Sequence, residues 1–277
     1  MTIPKRTLGR TGYAATIMGL GGEGILRTNG YEPQAYDLIN RAIDLGINYL
    51  ESARAYSGSE AYYGLALKER RKEIFLTSKS HARDKQGAME HLRQTLANMK
   101  TDHLDLWQVH DVRTDEEIEQ IFGPEGAIHA FSEAKEQGMT RFVGVTGHHD
   151  PFVTKRCMEM FDFDTVLMPV NPAEPVYKSY LQHVMPAAVK KGMGVIAMKV
   201  YFRGFASKLP SYTSMEPFFR FALSHPVTLA VIGCDDVLQL EENVRFASTF
   251  NPMGEDEIQD LIDEVYPYGR KLMYYKA

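Results

Sequence analysis

The chain of 277 residues is predicted to be an α/β protein, a (β/α)8 TIM barrel with an N-terminal β-hairpin. Three observations carry this expectation. Short β-branched or apolar runs alternate with longer stretches of helical period from the first dozen residues onward. Eight such runs are present, with no large break between units. A chain of this length with 44% hydrophobic residues can bury a large core, so residues 1–277 are read as one domain.

The elements follow in order. TLGRTGYAA, an apolar residue, a glycine turn and a second short run, suits a hairpin that plugs the barrel bottom. The strand candidates are Thr16–Leu20, Asn48–Leu50, Ile74–Thr77, Leu104–Val109, Phe142–Val145, Thr165–Met168, Val195–Met198 and Leu229–Ile232. Helical periodicity covers Gln34–Asp44, Glu60–Leu67, Ala88–Asn98, Ala127–Glu136, Thr154–Met160, Leu181–Lys190, Met215–Leu223 and Val237–Phe246. Gly46, Gly138 and Gly192 stand where a left-handed helix cap favours glycine. TDEEIEQ reads as a solvated helix start, and Trp107 alternates away from His110 toward the outer helices. The tyrosines between Tyr266 and Tyr275 are expected to pack a short tail onto the barrel, leaving an open pocket walled by His110–Gly126 and Tyr201–Thr213.

Composition excludes several classes. A net charge of -5, with Lys and Arg dispersed, leaves no nucleic-acid or anionic-membrane footprint. The N-terminus has no apolar signal region and no run is long enough to span a bilayer, so a cytoplasmic enzyme of small molecules is expected. Cys157 and Cys234 are in neither zinc nor redox spacing and are read as free thiols.

In a barrel of this kind, chemistry gathers where the strands end. Glu51 ends the second strand, Tyr56 follows five residues later, Lys79 ends the third and His110 the fourth. Each alone reads as a surface ion-pair partner, a loop anchor, a solvated charge or a core histidine. Four acid–base groups at one mouth instead favour a functional cleft. A tyrosine with pKa near 10 is a poor acid at neutral pH, and an ammonium such as Lys79 would lower it. Glu51 would hold Lys79, and His110 would hydrogen-bond a substrate oxygen, a set suited to carbonyl reduction without a metal.

The segments RTLGRTGYAATIMGLGG, ESARAYSGSEAYYG, FLTSK, DLWQVH, FVGVTG and AVIGCDDVLQLEEN, in this order, resemble the aldo-keto reductases over nearly the whole chain. The resemblance implies a nicotinamide-dependent oxidoreductase acting on a small carbonyl substrate, as a monomer or small homo-oligomer. It implies Tyr56 as general acid, Lys79 as its partner, His110 as carbonyl orienter and Glu51 in the place of an aspartate. Cofactor contacts are implied at Gly22, Thr146, Gly147, His148, Met198 and Lys199, and at Gly233, Cys234, Gln239, Glu242 and Asn243.

This chain departs from the family pattern at several of those positions. Gly147 stands where an asparagine is usual, Leu167 where a glutamine is, and Met198 where an aromatic stacks on the nicotinamide. NADPH is expected on family frequency, with NADH the alternative. Gly233 and Gln239 occupy positions that often carry cations for the 2′-phosphate, and Asp235 and Asp236 lie between them. GLGGEG satisfies G-x-G-x-x-G, but the next helix begins only near Glu32–Pro33, which excludes the doubly wound fingerprint. Two other readings stand beside the reductase: a metal-dependent hydrolase using His110, His148 and His149, and a cofactor-binding sensor with weak turnover.

Overall fold

The computed structural model describes residues 2–276. Two short strands, β1 (Lys5–Thr7) and β2 (Ala14–Thr16), pair antiparallel as the expected hairpin. Eight parallel strands then close a barrel: β3 (Met18–Gly24), β4 (Tyr49–Glu51), β5 (Phe75–Ser80), β6 (Leu104–Val109), β7 (Thr140–Thr146), β8 (Thr165–Pro169), β9 (Gly194–Met198) and β10 (Leu229–Cys234). They follow chain order, and β10 returns to pair with β3. Every predicted strand is present, most of them a residue or two longer than its apolar run.

Helices fill the connections: α1 (Glu32–Asp44), α2 (Ser59–Ala66), α3 (Lys85–Met99), α4 (Asp115–Phe122), α5 (Ala127–Glu136), α6 (Pro151–Met160), α7 (Tyr180–His183), α8 (Met185–Lys190), α9 (Glu216–Ser224), α10 (Val237–Ser248), α11 (Glu255–Val265) and α12 (Gly269–Leu272). In α1, Pro33 lies in the first turn and Ala35, Leu38, Ile39, Ala42 and Ile43 form the buried stripe. Gly46 then turns the chain at φ 91°, where a side chain would be strained. Asp84, Thr114, Asp150 and Asp236 cap α3, α4, α6 and α10 by accepting backbone N–H bonds.

Two elements depart from the sequence reading. The single helix expected over Leu181–Lys190 is two, α7 and α8, separated at Val184. Pro186 explains the break, because a proline inside the helix would lack its N–H and meet the carbonyl of the preceding turn. Beyond the eighth unit lies α11, whose Ile258, Leu261, Ile262 and Val265 recur at helical spacing.

The hydrophobic core has two parts. One lies between the strands and the outer helices and includes Trp107, whose ring stacks on Phe131 of α5 at 3.7 Å. The other fills the barrel with Tyr49, Phe75, Leu106, Leu167, Ile196 and Leu229, and includes Leu8 and Ala15 from the hairpin. Leu8 lies against Gly194, where an added Cβ would strike its side chain. The hairpin therefore stoppers the end at which the strands begin. The two-residue period of each strand does the rest: Phe75, Thr77 and Lys79 share one face of β5, and Leu106 and Gln108 of β6 lead on to His110.

Candidate active site

The four acid–base residues meet at the open end. Glu51 and Lys79 are buried, and Lys79 Nζ lies 2.9 Å from Glu51 Oε1. The same ammonium donates to the Ser52 carbonyl at 2.9 Å. After β4 the backbone keeps bonding to β5, Ser52 N to Thr77 O and Arg54 N to Lys79 O, before turning at Ala53–Tyr56 into α2. Glu60 anchors that turn from below, accepting from Ser78, Thr95 and Asn98. Tyr56 is thereby held with its ring 4.7 Å from Lys79 Nζ and edge-on to His110, the ring centroids 5.9 Å apart. The Arg27 guanidinium stands 4.9 Å from the same ring.

The electrostatics correct one expectation. The phenol of Tyr56 is not brought down toward neutrality; burial pushes its pKa well above the usual tyrosine value, Glu51 and Glu23 add to this, and Arg27 opposes it. Lys79 does not offset this, because Glu51 meets its charge at ion-pair distance and the pair is close to neutral as seen from the phenol. The His110 imidazole moves the other way. Burial drives its pKa well below the usual value, Lys79 assists and Asp111 opposes. Tyr56 is thus a protonated donor and His110 a neutral ring across the physiological range.

Tyr56, Lys79 and His110 line a cavity of about 580 Å³ together with Thr146, His148, Met198 and Lys199. Thr146 Oγ1 accepts from Asp111 N at 2.7 Å, which leaves its own proton free to donate. His148 packs edge-on to Tyr275, and burial holds its pKa at about 3 despite Asp111. Lys199 has φ 58° and points its ammonium to 4.0 Å from Glu23.

The other sequence candidates do not line this cavity. Gly22 serves packing, since a Cβ there would meet the Glu51 carbonyl and Ser59 Oγ at 2.7 Å. Gly147 packs against Thr154 and Tyr180. Gly233, Cys234, Gln239, Glu242 and Asn243 lie on β10 and α10, beside the cavity residue Glu23: an added Cβ on Gly233 would sit 2.9 Å from the Glu23 backbone. There Asp236 already occupies the α10 N-terminus, and Asn243 Oδ1 accepts from Tyr201.

Several lining residues escaped the sequence reading. Glu23 enters from the end of β3 and Arg27 from the segment after it, and Arg203 reaches Glu23 from the segment after β9 at 3.4 Å. Arg83 braces the end of β6, donating to the carbonyls of His110 and Asp111 at 2.9 Å. The tail packs onto the barrel as expected and also contributes to the cavity wall: Tyr274 and Tyr275 line the cavity, and behind them Lys276 Nζ lies 2.7 Å from the fully buried Glu174, which also accepts from Tyr275. Arg113 and Glu117 represent the predicted His110–Gly126 wall, and Arg203 the predicted Tyr201–Thr213 wall.

A protonated phenol over a buried ion pair and a neutral imidazole beside it can both hydrogen-bond a carbonyl oxygen bound in the cavity. A sequence model described as the Aldo/keto reductase family matches residues 17–217. An uncharacterized oxidoreductase of Bacillus subtilis, YqkF, is 25% identical across 93% of this chain and 95% of its own length. L-galactose dehydrogenase of Arabidopsis thaliana is 23% identical, covering 95% and 93%. Among solved structures, an aldo-keto reductase from Bacillus halodurans in its holo form superposes with a TM-score of 0.80 at 23% identity, covering 95% of this chain and 96% of the other. One from Klebsiella pneumoniae in complex with NADPH gives 0.76 at 20% identity, covering 96% of each. The chain belongs to the aldo/keto reductase family and is an NAD(P)H-dependent oxidoreductase.

Proposed function

We propose that the chain reduces aldehyde or ketone carbonyls to alcohols, reversibly, with Tyr56 as general acid. The observation that carries the reading is the buried Lys79–Glu51 pair lying under the Tyr56 ring with His110 at its edge. When bound, the cofactor supplies the hydride. Tyr56 gives its phenolic proton to the carbonyl oxygen as that oxygen gains negative charge, and the phenolate left behind faces the charges of Lys79 and Arg27. His110, neutral, donates a hydrogen bond to the same oxygen and fixes the carbonyl before transfer. Glu51 positions Lys79 and does not touch substrate.

Thr146 and His148 are the groups suited to a nicotinamide carboxamide, Met198 to its ring and Lys199 to phosphate oxygens. Gly233, Cys234, Gln239, Glu242 and Asn243, beside Glu23, remain the proposed frame for the remainder of the cofactor, whereas Gly22 and Gly147 serve packing. NADPH is the proposed cofactor and NADH the alternative, because Asp235 and Asp236 disfavour a 2′-phosphate at α10. Comparison of the two Michaelis constants decides between them. No helix among the described residues is long and apolar enough to cross a membrane. We take residues 1–277 as one catalytic domain acting in the cytoplasm, as a monomer or small homo-oligomer.

The test is loss of reduced-cofactor absorbance with a panel of aldehydes, ketones and quinones. Turnover with any of them supports the reading. Tight cofactor binding with no turnover on the whole panel would replace it with the sensor reading.

A further inference from the structure

Beside the acid–base residues the cavity wall carries a second constellation, of which the proposed carbonyl reduction uses only His148, as a cofactor contact. Asp111, the first residue past the His110 strand end, has φ 55°, a left-handed conformation costly for a residue other than glycine. Its backbone is clamped there: the N–H donates to Thr146 Oγ1 and the carbonyl accepts from Arg83 Nη2. Arg113 holds carboxylate oxygen Oδ2 through Nε at 2.8 Å and Nη2 at 2.6 Å. The other oxygen, Oδ1, points at two imidazoles, 3.4 Å from His148 Nδ1 and 3.6 Å from His149 Nε2.

Those separations are too long for good hydrogen bonds. Asp111 is 8% exposed, yet neither its Oδ1 nor His149 Nε2 has a hydrogen-bond partner among the described residues. Two orphaned polar atoms facing each other in a buried corner call for a third party. The ligand-type atoms of Asp111, His148 and His149 all lie within 4.8 Å of one another. Around a tetrahedral zinc-class ion with bonds of about 2.0–2.2 Å, neighbouring ligand atoms are about 3.3–3.6 Å apart. The two measured carboxylate–imidazole distances fall in that range. Two neutral nitrogens and one carboxylate oxygen are the ligand chemistry of zinc, cobalt and nickel rather than of calcium or magnesium. All three residues line the cavity, so a fourth coordination position opens into it.

We propose that Asp111 Oδ1, His148 Nδ1 and His149 Nε2 form a binding site for a divalent transition-metal ion of the zinc class, with its open position in the cavity. Arg113 acts as the outer partner that orients the carboxylate. Lys199, on the opposite wall, opposes the added charge, so the site suits reversible occupation better than permanent capture. A consequence rests on the reductase reading: a metal on His148 Nδ1 leaves only Nε2 for the nicotinamide carboxamide and fixes the ring, so metal and cofactor are expected to compete.

The experiment uses tag-free, full-length protein titrated with Co²⁺ and Zn²⁺ in the absence of cofactor. Intense visible bands of tetrahedral Co²⁺, displaced by one equivalent of Zn²⁺, are expected. Asp111→Asn and His149→Gln should each weaken binding at least tenfold, and Arg113→Leu about 10–100-fold. His91→Gln, in the separate His81–His91 pair, should leave binding unchanged. Absence of binding by wild-type protein, weak octahedral bands, or binding indifferent to Asp111→Asn and His149→Gln would overturn the site. Because the wild-type spectrum is read directly, the test survives a variant that fails to fold. NADPH should bleach the Co²⁺ bands; bands that persist under saturating cofactor would overturn the competition while leaving the metal site in place.

Discussion

Two cations stand near the Tyr56 ring, Lys79 at 4.7 Å and Arg27 at 4.9 Å, and each is matched by a carboxylate, Glu51 and Glu23 respectively. The buried phenol therefore keeps its proton, and in the proposed reaction it gives that proton up only as the carbonyl oxygen becomes basic. The pH profile follows with a definite sign. Tyr56 is raised above its ordinary 10.0 and His110 lowered below its ordinary 6.5, so kcat/KM should be flat between those values and fall only outside them. An alkaline limb near neutrality in the profile would contradict this assignment. The ion pair makes a separate prediction, because the Lys79 side chain is 0% exposed and that of Glu51 4%. Lys79→Met strands a buried carboxylate and should cost about 3–5 kcal/mol in chemical denaturation, whereas adding Glu51→Leu should restore most of it. Glu51, Tyr56, Lys79 and His110 were legible in the sequence because each follows directly from a strand end. The direction of the Tyr56 shift was not, since it depends first on how deeply the fold buries the phenol and then on the carboxylates of Glu51 and Glu23 brought near it.

The strands were readable because a barrel strand is apolar on both faces, and their ends were less so because polar Ser80 and Thr146 continue the ladder beyond the apolar run. The α7–α8 break before Pro186 and the helix α11 were both missed, although a proline and an apolar spacing of helical period stand in the sequence there. Arg27, Arg83, Arg113 and Arg203 were invisible as site residues, because a charge in a connecting segment carries no signal of where that segment folds. The hairpin offers a test at this scale. Leu8 is wholly buried against Gly194 at the end of the barrel opposite Tyr56. Leu8→Ala should lower stability by about 2–5 kcal/mol while leaving kcat near wild type, as denaturation and steady-state kinetics would reveal.

Across the whole molecule, the barrel delivers catalytic groups to one end, the hairpin stoppers the other, and the tail narrows the mouth. The tail is locked by the buried Lys276–Glu174 pair, so Glu174→Gln should destabilise the protein and raise KM for carbonyl substrates by loosening Tyr274 and Tyr275, with a smaller effect on kcat. All of this serves one claim, that the closed fold exists to hold a protonated Tyr56 against a substrate oxygen. The most direct measurement is kcat of Tyr56→Phe on the best carbonyl substrate, alongside its cofactor dissociation constant. A fall of about 10²–10⁴ in kcat with unchanged cofactor affinity is predicted. Wild-type turnover by Tyr56→Phe would contradict the account.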